Sequence, residues 1–114
     1  MVEIDRLLTF YGPLLTDKQR QCLEGHFADD LSFGELAEQM GISRQAVHDL
    51  VRRAEKSLRE YEARLGLVGR HLKSRDRARR LAGLVGALAG GQATAEQRAE
   101  ALALVDEILA DEEG

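Results

Sequence analysis

The chain has 114 residues, 44% of them apolar, a formal net charge of −4 and a single cysteine. A chain of this length forms one compact domain and buries roughly two-thirds of its unfolded surface, which disfavours separate substrate and cofactor lobes. Cys22 cannot close an internal disulfide, no charged-then-apolar leader opens the chain, and the longest apolar stretch, Leu81 to Ala89, falls short of the roughly 20 residues that span a bilayer, so a cytoplasmic protein with no membrane insertion is expected.

Helical spacing runs from end to end, and no stretch alternates apolar and polar residues long enough for a strand, so the fold class is all-α. Ile4, Leu7, Leu8, Tyr11 and Leu15 share one face of a first helix, which Gly12-Pro13 ends near Tyr11. Thr16-Asp17-Lys18-Gln19 and Ser32-Phe33-Gly34-Glu35 fit the capping box, in which a hydroxyl and a side chain three residues on satisfy orphan backbone N–H groups reciprocally. The helix after the first box is expected to bury Leu23 and Phe27 and to end near Ala28. The helix after the second runs to Met40, where Gly41 stops it.

Ser43 caps a fourth helix along which Val47, Val51, Ala54, Leu58, Tyr61, Leu65, Val68 and Leu72 recur at alternating steps of four and three, a heptad seam. Gly66 and Gly69 interrupt it, each costing about 1 kcal/mol against alanine, which favours a break near Gly66. A fifth helix, Arg70 through Ala89, carries Leu81, Leu84, Val85 and Leu88 as its expected buried stripe and is closed by Gly90-Gly91. A third capping box, Thr94-Ala95-Glu96-Gln97, opens an acidic terminal helix with Leu102, Val105 and Leu109 as its apolar face and Asp111-Glu112-Glu113 fraying into solvent. The expected organisation is a helix-turn-helix domain over residues 1–72, with an N-terminal helix and a heptad extension. A basic helix and an acidic C-terminal helix over 73–114 would pack on the same domain.

The functional signal lies in FGELAEQMGISRQAVHDLVRR, Phe33 to Arg53, a short helix, a turn and a longer helix. Ala37 supplies a small side chain at the helix crossing and Gly41 a residue that tolerates left-handed backbone, while Leu36, Met40, Ile42, Val47 and Leu50 fill the wedge. In such a unit the first turns of the second helix enter the major groove, which puts Arg44, Gln45, His48 and Asp49 at base edges and Arg52, Arg53 and Lys56 nearer the backbone. Asp49 argues against DNA, because phosphate repels its carboxylate unless it accepts from a cytosine amino group.

Charge is unevenly spread. Residues 1–43 carry net −5, residues 44–80 net +7 and residues 81–114 net −6. Glu55-Arg59, Glu60-Arg64 and Asp49-Arg53 stand at i,i+4 and would neutralise much of the fourth helix. The run Arg70, Lys73, Arg75, Arg77, Arg79 and Arg80 faces only Asp76, and three roles remain open for it: binding phosphate, docking on the acidic terminal helix, or a solvated face. Cys22 reads as a packing residue. His26, His48 and His71 lack metal-ligand spacing, and the cluster of His26 with Asp29 and Asp30 reads as a helix end rather than an acid–base pair. No phosphate-cradling loop and no activated nucleophile is present in the sequence, so neither an enzyme nor a cofactor, metal or small-molecule substrate is expected.

The stretch LLTDKQRQCLEGHFADDLSFGELAEQMGISRQAVHDLVRRAEKSLREYEARLGL, with the preceding LLTFYGP, resembles the YlxM-like helix-turn-helix proteins, whose genes typically sit beside those of the signal recognition particle, and more distantly the fourth region of bacterial sigma factors. The resemblance covers about Asp5 to Leu72, with TFYGPLLTDKQR and GISRQAVHD its most specific segments. It implies a regulatory or accessory protein of the signal recognition particle pathway that binds nucleic acid through its helix-turn-helix. Two functions follow. One is a nucleic-acid-binding protein working as a homodimer on DNA or on signal recognition particle RNA, with Arg75, Arg77, Arg79 and Arg80 on phosphate. The other is an interaction module that binds protein or RNA components of the particle without reading DNA sequence. Leu58, Tyr61, Leu65, Val68 and Leu72 are expected to form the dimer seam, unless the first or fifth helix covers that stripe within one chain.

Overall fold

The computed structural model describes residues 2–113. Six helices follow one another: α1 (Ile4–Tyr11), α2 (Asp17–Phe27), α3 (Phe33–Met40), α4 (Arg44–Leu65), α5 (Leu67–Ala89) and α6 (Ala95–Glu113), with a short 3₁₀ turn, Gly12–Leu14, after α1. No strand occurs among the described residues, and the fold is all-α with a helix-turn-helix at α3–α4. The chain forms two compact units, Met1–Gly69 and Arg70–Gly114.

In the first unit α4 is the hub, packed against α1, α2 and α3. Its Val47, Val51, Ala54 and Leu58 are buried together with Leu7, Tyr11, Leu15, Cys22, Leu23, Leu36 and Ala37. Each large side chain among them contributes about 1.5–3 kcal/mol by leaving water. The capping boxes at Thr16 and Ser32 are both closed, and Ser43 accepts from the Ala46 N–H to start α4. Gly41 takes the left-handed conformation at φ 67°, which a side chain there would strain. Phe27, Met40, Ile42 and Leu50, expected in the core, are only half-buried.

The helix does break at Gly66, left-handed at φ 63°, and α5 then starts at Leu67, three residues earlier than expected. A polar clasp makes the earlier start favourable. The Tyr11 hydroxyl donates to Glu62 Oε1 at 2.6 Å and accepts from the Leu67 N–H at 3.0 Å, while the Glu62 carboxylate accepts from the Val68 and Gly69 N–H groups at 3.1 and 3.0 Å. Glu62 thereby satisfies two of the orphan donors of the first turn of α5 and Tyr11 a third. Burial would raise its carboxyl, but the Tyr11 hydroxyl and the two backbone N–H groups outweigh that and hold it below the usual carboxylate range. Burial and the hydrogen bond to Glu62 push the Tyr11 phenol up. The seam is therefore not a free dimer face: Leu58 and Val68 are fully buried, Tyr61 is half-buried against Tyr11, and only Leu65 is exposed.

The second unit is an antiparallel pair formed by α5 from Arg70 onward and α6, as the pairs Arg80–Glu100 and Arg77–Glu107 require. Its burial departs from expectation. Of the expected α5 stripe only Leu84 is buried and Leu81 half-buried, while Val85 and Leu88 are exposed. On α6 the side that packs carries Ala101, Leu104 and Ile108, and the expected face Leu102, Val105 and Leu109 lies outside. In this register Glu100, Glu107 and Asp111 reach the arginines of α5 while Ala101, Leu104 and Ile108 turn inward. The expected fraying does not occur: α6 stays helical through Glu113, with Asp111 bonded to Arg77.

Candidate nucleic-acid interface

The outer side of α4 carries all the residues expected at base edges or backbone, but it divides into two lines. At 100° per residue, Gln45, Asp49, Arg52 and Lys56 point away from the buried line Val47, Val51, Ala54 and Leu58, with Arg53 beside them. Gln45, Arg52, Arg53 and Lys56 are exposed and Asp49 is half-buried. Arg44 and His48 lie nearer the border with α3. The Arg44 guanidinium rests on Gly34, with Nη2 2.7 Å from where a Cβ would stand, and the His48 ring meets Phe33 edge-on at 4.8 Å. Both side chains are exposed but held, which restricts the rotamers with which they can reach outward.

Asp49 has a definite role in this surface. One of its oxygens, Oδ1, accepts from Arg52 Nη2 at 2.7 Å and from Gln45 Nε2 at 3.4 Å. Its partner is Arg52 at i+3, not Arg53 at i+4, and the i,i+4 pairs Glu55–Arg59 and Glu60–Arg64 do not close among the described residues. Arg59 instead donates to the Val2 carbonyl at 3.1 Å. The outer face is thus less self-neutralised than the spacing implied: Arg53 and Lys56 carry no ion pair among the described residues. No acidic residue occupies the first turn of α4, so its positive dipole end is uncompensated and favours an anion.

In the second unit the six-cation run is split. Arg77 bonds Asp111 and lies 3.4 Å from Glu107, and Arg80 makes two bonds of 2.7 Å to Glu100. Arg80 holds the Glu100 carboxyl below the usual range, and Glu100 in turn pushes the guanidinium up. Asp76 is therefore not the run's only acidic neighbour: α6 neutralises two of its arginines. Arg75 and Arg79, one turn apart and exposed, carry no ion pair among the described residues.

Sequence reasoning missed Gly34, whose absent Cβ seats Arg44, and Gly25, where a Cβ would stand 2.6 Å from a methyl of Leu36. A glycine inside a helix is a signal for close approach, and both could have been found by it. It also missed the Tyr11–Glu62 clasp, which no spacing announces across 51 residues. Cys22 is a packing residue, fully buried with Sγ 3.4 Å from Met40 Sδ, and burial pushes its thiol up. His26 bonds the Leu31 carbonyl at 2.9 Å and packs against Phe27 and Phe33. Among the described residues no group of His, Cys, Asp and Glu could hold a metal, and no helix is long and apolar enough to cross a membrane.

Fold and surface define an all-α helix-turn-helix protein. The chain belongs to the UPF0122 family, described as "Putative helix-turn-helix protein, YlxM / p13 like", which it matches over residues 1–88. It is similar to UPF0122 protein STH1464 of Symbiobacterium thermophilum, 51% identical over 65 residues that cover 57% of this chain and 61% of that protein. A UPF0122 protein of Desulforamulus reducens is 48% identical over 68 residues, 60% and 58% of the two chains. UPF0122 protein Teth514_1714 of Thermoanaerobacter sp. is 54% identical over 65 residues, 57% and 56%. The alignments span about three-fifths of these relatives' length, and α6 lies wholly beyond the family match.

Proposed function

We propose that this protein is a non-enzymatic, cytoplasmic nucleic-acid-binding protein that uses α4 as its recognition helix and acts as a regulatory or accessory factor of the signal recognition particle pathway. The observation that carries the reading is the outer line of α4, where Asp49 fixes Gln45 and Arg52 in place beside the unpaired Arg53 and Lys56. In this reading Arg44, Gln45 and His48 meet base edges, Asp49 holds Gln45 and Arg52, and Arg52, Arg53, Lys56, Arg75 and Arg79 meet phosphate. The link to the signal recognition particle rests on the resemblance to the YlxM-like proteins. A single helix-turn-helix makes few contacts, so the working form is a homodimer.

A second reading, an interaction module for protein or RNA components of the particle, is favoured by the pairing of Arg77 and Arg80 with α6, which takes two cations out of the phosphate-facing set. Binding of duplex DNA and of structured RNA, titrated with salt, separates the two. The first reading expects duplex binding whose affinity falls steeply with salt and whose sequence preference changes in Arg44→Ala. Binding of structured RNA alone, indifferent to Arg44→Ala and Lys56→Gln, would transfer the function to the second.

A further inference from the structure

The α5–α6 pair is unusually poor in core. Among the described residues, Arg70–Gly114 has two buried apolar side chains, Leu84 and Ala101, while Val85, Leu88, Leu102, Val105 and Leu109 are 52%, 39%, 69%, 38% and 51% exposed. These five are not scattered. At 100° per residue, Val85 and Leu88 lie to one side of the line through Leu84 that faces α6, and Leu102, Val105 and Leu109 lie to one side of the line through Ala101 and Ile108 that faces α5. Both displacements have the same rotational sense. Because the helices are antiparallel, equal senses put the two sets on the same side of the pair. The paired carboxylates Glu100, Glu107 and Asp111 are displaced in the opposite sense, so the pair has one mainly apolar side, with Arg98 near its end, and one ion-paired side.

The geometry points to a second copy of this chain as the cover of the apolar side, the two α5–α6 pairs meeting across a twofold axis as a four-helix bundle. A segment of this size with so little core is stabilised by a disulfide, a metal or oligomerisation. The single cysteine lies in the other unit, so no disulfide within Arg70–Gly114 makes up for the small core. A cover that the pair always needs must always be at hand, and another copy of the same chain is. The five side chains expose on the order of 400 Å² per copy, about half the 800 Å² that each partner buries in a standard interface before the surrounding rim is added. The inference assigns a surface to the dimer proposed above and is independent of what α4 binds.

Sedimentation of the full chain from 1 to 100 μM, with circular dichroism, tests it. The unaltered protein is expected to be a dimer. Leu102→Glu with Leu109→Glu is expected to raise the dimer dissociation constant by a factor of about 100 or more, with the helix-turn-helix unit still folded. Because that variant could also unwind α6, a second measurement is needed: in a Cys22→Ser background, Val105→Cys should form an intermolecular disulfide on mild oxidation, and Ala103→Cys, on the far side of α6, should not. A monomer at 100 μM, a dimer that survives the double substitution, or equal cross-linking at both positions overturns the proposal. A monomer would mean that another protein, or the rest of the chain, covers the face. If that monomer still binds duplex DNA through Arg44, the interface fails while the reading of α4 stands.

Discussion

The two units have similar apolar content, yet twelve of the buried apolar side chains among the described residues lie in Met1–Gly69 and two in Arg70–Gly114. The difference is the number of neighbours. In the first unit α1, α2 and α3 surround one side of α4, so an apolar arc is covered from several directions. In the second, two helices meet only each other, and a seam one residue wide is all that either can bury. Helical periodicity specifies where an apolar stripe runs, and the count of elements converging on it decides how much of the stripe leaves water.

The largest test of this contrast is a pair of cavities. Leu58→Ala, at the centre of the first unit, should cost about 2–5 kcal/mol and lower its thermal transition by many degrees. Leu84→Ala should leave that transition where it is and act only on the α5–α6 pair. Equal shifts in a calorimetric melt would mean that the units unfold as one and that the contrast in burial has no thermodynamic counterpart.

A middle-sized effect is expected where α5 starts. Tyr11→Phe removes the hydroxyl that bonds both Glu62 and the Leu67 N–H, which should cost about 1–3 kcal/mol in the first unit. The clasp also sets an acid limit. Because the Glu62 carboxyl titrates lower in the folded protein than in the unfolded chain, its contribution is present above the unfolded value of about 4.3 and is lost as the pH falls through the folded value. The melting temperature should therefore drop on acidification below about pH 4, and Glu62→Gln should flatten that drop. An unchanged acid slope in Glu62→Gln would remove the clasp from the account of stability.

Most of the fold was legible because its signals are local. Capping boxes act over three residues, Gly41 and Gly66 impose left-handed backbone at single positions, and all of these stand where the sequence puts them. What was not legible depends on contacts far apart in the chain. The Tyr11–Glu62 bond joins two helices, and the carboxylates of α6 pair with arginines twenty and thirty-four residues away. In the candidate interface the residue types of α4 were readable, but the division between held and outward side chains depends on Gly34 and Phe33 of α3. By residue type alone Asp49 is an obstacle to phosphate; in the fold it is the acceptor for Gln45 and Arg52.

The smallest effect concerns the ion-paired side of the α5–α6 pair. Arg80 and Glu100 are 58% and 41% exposed, so water and salt screen their attraction, and Arg80→Gln should leave the melting curves unchanged within error. Its charge is nonetheless committed. If Arg79 meets phosphate and Arg80 stays with Glu100, then Arg79→Gln should lower the slope of log affinity against log salt for a duplex by about 0.9, the value of one released counterion. Arg80→Gln should lower it by much less. The comparison is internal, since the two residues are adjacent in sequence and the substitutions change net charge equally. Equal reductions would mean that the Arg80–Glu100 pair opens when nucleic acid arrives, and α6 would then compete with phosphate for the basic helix rather than serve only as its fixed partner.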